Sequence, residues 1–233
     1  YKSIDGGENW KKVLGGGKWT GVTDIHMDPR NPDRIYAATW QRHRTVAALM
    51  GGGPESGLHR SEDGGETWTE LKSGLPNYAG KIGFTLSPQK PDVLYASIEL
   101  EKRNGAVYKS EDRGSSWKKM SDLSLGYGTG PHYYQELFAS PHKFDRLYLM
   151  NVRILTSEDG GKTFVELTER SKHSDNHAIA FREDDPNYLL VGTDAGIYES
   201  FDLAKTWKYH KNLPITQFYN CLLYTSPSPR DEQ

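Results

Sequence analysis

One short motif recurs five times in this chain of 233 residues, and its spacing constrains the fold more than any other feature. The copies are Ser3-Ile-Asp5-Gly-Gly7-Glu-Asn9-Trp10, Ser61-Glu-Asp63-Gly-Gly65-Glu-Thr67-Trp68, Ser110-Glu-Asp112-Arg-Gly114-Ser-Ser116-Trp117, Ser157-Glu-Asp159-Gly-Gly161-Lys-Thr163-Phe164 and Ser200-Phe-Asp202-Leu-Ala204-Lys-Thr206-Trp207. A one-site enzyme has no use for five copies of its catalytic residues, whereas a repeated fold needs its turn once in every repeat. The motif serines lie 58, 49, 47 and 43 residues apart, a period typical of one four-stranded propeller blade. The spacing therefore predicts an all-β β-propeller of four-stranded blades, with the repeated turn between strands C and D of each blade.

A second signature falls between the turns. It reads Ile25-His-Met-Asp-Pro29-Arg-Asn-Pro32-Asp33-Arg-Ile35-Tyr36, then Phe84-Thr-Leu-Ser-Pro88-Gln-Lys-Pro91-Asp92-Val-Leu94-Tyr95, with weaker versions at Leu137 to Tyr148 and Ile179 to Leu189. Proline fixes φ and withholds a donor, and Asp or Asn accepts from turn amides, so an apolar run breaks there and restarts as the next strand. Each blade thus reads as strand A, a Pro-Asp turn, strand B, then C and D. The expected division is a part blade at 1–17, blades at about 18–72, 73–120, 121–168 and 169–211, and the start of another at 212–220. A propeller incomplete within the chain is expected to expose edge strands and to aggregate when isolated.

Composition narrows the partners. A formal charge of −2 gives no electrostatic footprint for nucleic acid or for an anionic membrane, and no apolar run is long enough to span a membrane. The one cysteine, Cys221, opens Cys221-Leu-Leu-Tyr-Thr-Ser-Pro-Ser-Pro-Arg-Asp231, which resembles a translated sequencing adapter. Residues 221–233 are accordingly set aside as an adapter-derived artefact, and the chain is expected to be a piece of a longer protein assembled from environmental sequence.

With these turns the sequence resembles the Asp-box, or BNR, repeat of sialidases, sortilin-type receptors and related propellers. Within each copy the Asp carboxylate is placed to accept from loop amides, the Ser and Thr hydroxyls to bridge the same loop, and Gly to supply positive φ. Trp10, Trp68, Trp117 and Trp207, with Phe164 in the fourth copy, are each expected to bury a ring under the loop. The Ser, Asp and aromatic positions are thus structural, and one carboxylate per loop is a thin ligand set for calcium. Ala204 stands at the motif Gly, and Arg113 and Leu203 at the commoner second Gly, so those loops are expected to be distorted.

Function then belongs on the opposite face, in the loops joining B to C and D to the next A. The longest B to C loop, Trp40 to Ser56, carries Arg42 and Arg44 and exceeds what a hairpin needs, which suits either a functional loop or a lid against neighbouring blades. A D to A loop holds Gly126-Tyr127-Gly128 and Pro131-His132-Tyr133-Tyr134, where at least one tyrosine is expected in the core. The next holds His173-Ser-Asp175-Asn176-His177. Two histidines and a carboxylate are metal-ligand types, but Asp175 or Asn176 also suits a turn cap, so no metal or other cofactor is assigned.

These loops, with Asn212-Leu-Pro-Ile-Thr-Gln217-Phe-Tyr219, make the chain similar to the sortilin-like, BNR-repeat glycosyl hydrolase-like propellers of bacteria. That family's loop reads His-Gly-Asp-His/Asn-His-Asp; His173, Asp175, Asn176 and His177 match it, and Ser174 and Ala178 depart. The resemblance implies a secreted or cell-envelope protein. Two functions follow. A binding propeller would use Arg42, Arg44, Tyr133, Arg153, His173 and His177 to hold a peptide, protein or glycan. A glycoside hydrolase of the xyloglucanase-like type would need two facing carboxylates, for which Glu99, Glu101, Asp175 and Asp194 are the candidates. A sialidase is disfavoured, since that family's Phe-Arg-Ile-Pro segment is absent.

Overall fold

The computed structural model describes residues 1–123 and 133–213. Gly126, Tyr127, Gly128, Pro131 and His132, the blade start beyond residue 213, and the adapter-like residues 221–233 lie outside the described residues. Four antiparallel meander sheets follow one another along the chain. The first contains β1 (Thr20–Asp28), β2 (Asn31–Gln41), β5 (Gly57–Ser61) and β6 (Thr69–Leu71). Between β2 and β5, the strands β3 (His43–Arg44) and β4 (Leu49–Met50) make a separate hairpin. The second sheet contains β7 (Ile82–Leu86), β8 (Leu94–Glu99), β9 (Gly105–Ser110) and β10 (Lys118–Leu123), the third β11 (Leu137–Ala139), β12 (Leu147–Leu149), β13 (Leu155–Ser157) and β14 (Val165–Glu166). The fourth contains β15 (Asn176–Ala180), β16 (Leu189–Thr193), β17 (Gly196–Ser200) and β18 (Lys208–Tyr209). The chain is all-β and builds part of a β-propeller.

The five repeated turns share one hydrogen-bond pattern. In each, the Ser hydroxyl donates to the Asp carboxylate at 2.7–2.9 Å and accepts the N–H four residues on at 2.8–2.9 Å. The Asp accepts from the N–H of Asn9, Thr67, Ser116, Thr163 or Thr206 at 2.8–3.0 Å. Charge-assisted bonds to neutral amides favour the ionised acid. Asn9 accordingly holds Asp5 down at about 2.

Two expectations need correction. The substituted copies are not distorted: Arg113, Leu203 and Ala204 take φ of 63°, 53° and 69°, and the Ala204 N–H still reaches Ser200 Oγ at 2.9 Å. The bonds of the turn outweigh a left-handed strain of roughly 1–2 kcal/mol per residue. The aromatic rings are also not uniformly buried. Trp117 is 6% exposed and Trp10 is 61% exposed. The difference is the neighbouring blade: Trp117 packs in the cluster of Leu71, Ile82 and Phe84 between the first and second sheets, and its N–H donates to Ser73 O at 2.9 Å.

The core lies between successive sheets. Val107 and Tyr95 of the second sheet meet Leu147 and Leu149 of the third, and Tyr148 and Ile154 of the third meet Ile179, Leu189 and Val191 of the fourth. Polar clasps add to this packing on the face of the repeated turns. In the first three Pro-Asp turns the residue after the first proline reaches the next blade: Arg30 to Asp92 at 2.5 Å, Gln89 Nε2 to Ser140 O at 2.9 Å, and His142 Nε2 to Arg182 O at 2.6 Å. The residue before the motif serine does the same in three copies, as Lys2 to Glu66 at 2.7 Å, Arg60 Nη1 to Arg113 O at 2.6 Å, and Lys109 Nζ to Asp145 at 3.0 Å.

Candidate functional site

The antiparallel meander puts the starts of β11 and β15, the ends of β8 and β16, and the β3–β4 hairpin on the face away from the repeated turns. The local chain there is fixed by buried polar groups. Between β14 and β15, Lys172 Nζ donates to Glu169 Oε1 at 2.7 Å, to His173 O at 2.7 Å and to Asn176 Oδ1. The Lys172 and Glu169 side chains are 0% and 1% exposed. Burial lowers the Lys172 pKa against the opposing pull of Glu169. Asn176 Nδ2 also donates to Asn151 O and Val152 O, at 3.1 and 3.0 Å. A second anchor is Gln135, whose side chain donates to Lys81 O and Ser97 O at 3.1 and 3.0 Å. Its backbone lies so close to β7 that a Cβ on Gly83 would sit 1.8 Å from Gln135 O.

These anchors present a connected cluster from three blades. His177 stacks on Tyr134, with ring centroids 5.2 Å apart and planes inclined by 17°. Its Nε2 lies 2.7 Å from Asp194 Oδ1, and its Nδ1 lies 3.2 Å from Tyr133 O. Tyr134 is buried and donates from its hydroxyl to Asp175 Oδ1 at 2.5 Å. Burial and the carboxylates Asp175 and Asp194 raise the Tyr134 pKa, so the phenol stays protonated and remains a donor. Tyr133 is 56% exposed, and its hydroxyl accepts from Arg44 Nη1 at 3.0 Å, across from the first sheet. Arg44 to Leu49 and Tyr133 together line an open depression.

Of the residues singled out from sequence, Arg44, Tyr133, Asp175, His177 and Asp194 meet in this cluster. The others are placed elsewhere. Arg42 lies over the Trp40 ring, 5.2 Å from its centroid. Arg153 pairs with Glu169 at 3.4 Å. His173 Nδ1 faces Ser174 O at 2.6 Å, and among the described residues no three His, Cys, Asp or Glu side chains are grouped to hold a metal ion. Glu99, at the end of β8, accepts from the Lys81 N–H at 3.1 Å, and Glu101 is exposed in a single 3-10 turn, Glu101–Arg103. Sequence reasoning singled out Asn176 as a turn cap but missed its partners Glu169 and Lys172, since a Glu and a Lys three apart read as a solvated surface pair.

Several known proteins are similar over most of the chain. An oligoxyloglucan-reducing end-specific xyloglucanase of Emericella nidulans is 25% identical over 236 residues, covering 93% of this chain and 26% of the relative. A xyloglucanase of Acetivibrio thermocellus is 22% identical over 219 residues, covering 82% and 25%. The chain thus spans about a quarter of the length of these curated relatives. Among solved structures, the GH74 xyloglucanase from Xanthomonas campestris superposes with a TM-score of 0.61 at 20% identity, over 88% of this chain and 32% of that one. YCF48 bound to D1 peptide gives a TM-score of 0.51 at 14% identity, over 85% and 57%. Both likenesses are of fold. The family described as "Sortilin, neurotensin receptor 3" matches residues 1–128, more than half of the chain, and the chain belongs to this Sortilin-Vps10 family.

Proposed function

We propose that the chain forms part of a recognition propeller that holds a glycan on the face opposite the repeated turns. The observation that carries this reading is Tyr133, a half-exposed ring whose hydroxyl is fixed by Arg44 beside the His177–Asp194 pair. A ring held open in one orientation loses little freedom when a sugar stacks on it. Asp194 is exposed and uses Oδ1 toward His177, so Oδ2 remains to accept a sugar hydroxyl. The carbohydrate-active relatives support a glycan, and a secreted or cell-envelope location fits the same reading.

The test is calorimetric titration of the chain with a panel of neutral oligosaccharides, xyloglucan-derived ones included. Tyr133→Ala should weaken binding by about fivefold or more, the range of one aromatic contact. Absence of binding across the panel sinks the proposal, and capture of a peptide by the same residues replaces the glycan with a peptide ligand. Glycoside hydrolysis is the second reading, favoured by Asp175 and Asp194 sharing the network around His177 and Tyr134. Turnover abolished by Asp175→Asn or Asp194→Asn would establish it.

A further inference from the structure

The β3–β4 hairpin ends in an apolar tip with a basic and aromatic collar. Val46 is the most exposed large apolar side chain among the described residues, at 110%, and Leu49 is 54% exposed. Ala47 and Ala48 complete an exposed apolar turn. Its backbone is largely self-satisfied: the Thr45 N–H donates to Ala48 O at 2.8 Å, and Thr45 Oγ1 accepts from the N–H groups of Ala47 and Ala48 at 3.3 and 3.0 Å. A tip with paired amides enters a low-dielectric medium without stranding those donors.

At the base of the hairpin, the Trp19 ring packs on His43 with centroids 3.7 Å apart, and Lys18 Nζ lies 4.6 Å from the Trp19 centroid. Arg42 covers Trp40, and Arg44 donates to the Tyr133 hydroxyl. Lys18, Arg42 and Arg44 take part in none of the ion pairs among the described residues, while on the Tyr133 side Asp194 is already held by His177. Exposed apolar side chains projecting beyond cations and an interfacial indole match the layering of a bilayer surface, with acyl chains beneath headgroup phosphates.

We propose that the Thr45 to Leu49 tip inserts shallowly into the surface of an anionic lipid bilayer, with Lys18 and Arg42 against the headgroups and Trp19 at the interface. The tip shares its depression with Tyr133, so the two readings are separated by variant: Val46→Asp and Lys18→Gln probe the lipid contact, and Tyr133→Ala the glycan contact.

Sedimentation of the chain with vesicles of phosphatidylcholine alone, or with about a third phosphatidylserine, tests it. Binding is expected only to the anionic vesicles. It should fall about fivefold for each cation removed in Lys18→Gln and Arg42→Gln, and by an order of magnitude or more in Val46→Asp, which places a carboxylate in the acyl region. Val46 is fully exposed, so Val46→Asp should leave the melting temperature unchanged. Equal binding to neutral vesicles, no binding to either, or anionic binding unaffected by Val46→Asp would each overturn the insertion. Competition by soluble polyglutamate together with indifference to Val46→Asp would mark an acidic protein partner and overturn the lipid assignment.

Discussion

Gly161 offers a quantitative test of how one blade seats on the one before it. Its φ is +88°, and an added Cβ would lie 2.6 Å from Val107 Cγ1 and 3.6 Å from Leu147 Cδ1. Val107 is fully buried in the second sheet. Gly161→Ala should therefore cost a left-handed strain of roughly 1–2 kcal/mol and an overpacking term of roughly 1–3 kcal/mol, about 2–5 kcal/mol together. Val107→Ala alone removes buried methyls and should cost about 2 kcal/mol. In the double variant the new methyl enters the space that valine leaves, so only the strain and part of the cavity remain. The expected coupling is about 1–2 kcal/mol in favour of the double variant, beyond the additivity of independent sites. Gly6→Ala is the control, since its φ is +73° but an added Cβ meets nothing within 4 Å; it should cost the strain alone. Urea unfolding of the full chain, followed by tryptophan fluorescence, measures all four. Single costs that add to within about 0.5 kcal/mol would refute the argument that the turn nests on the preceding blade.

Three further outcomes are expected. Arg113→Gly, at an exposed φ of 63°, should stabilise the chain by about 1 kcal/mol by relieving strain, and a lower urea midpoint would count against the relaxed-turn account. Lys172→Met should cost about 3–5 kcal/mol by leaving the buried Glu169 carboxylate with only the longer Arg153 contact at 3.4 Å and the Asn176 amide, with most of it regained when Glu169→Gln is added; a single-variant cost below about 1 kcal/mol would contradict the buried pair. Acid should unfold the chain through its turns. Burial raises the Asp159 pKa, but the Thr163 amide and hydroxyl and Ser157 overcome this and hold it at about 2, below the unfolded value near 4. A depressed folded pKa gives stability that is complete above about pH 4 and lost as pH falls toward 2. Melting temperatures should be level from pH 6 to 4.5 and then drop, and a drop beginning near pH 6 would point to histidine instead.

The blade architecture was legible because it is written in local chemistry. A Ser, an Asp and a positive-φ residue close a turn within eight residues, so five copies could be read without knowing what surrounds them. Ring burial was not legible, because Trp117 and Trp10 share a motif and differ in what the preceding blade supplies. The candidate site was legible in part. His177, Asp175 and Asp194 were visible as polar residues at loop positions, but their joining through Tyr134, and the reach of Arg44 to Tyr133, depend on contacts 17 to 89 residues apart. Lys172 shows the reverse case. Its spacing from Glu169 is that of a surface pair, and only the closure of the loop over both makes them interior.

The clasps at the first three Pro-Asp turns carry a consequence for how damage spreads. Arg30, Gln89 and His142 each bind forward, to the next blade and no further. Apart from the Arg44–Tyr133 bond on the opposite face, such a molecule is a row of nearest-neighbour couplings, and its free energy is close to a sum over blades and the seams between them. In an open row, an end blade is held by one seam and an inner blade by two, so opening starts at an end and runs inward. Closing the row into a ring gives every blade two seams, and the first loss then costs twice as many contacts as it does at a free end.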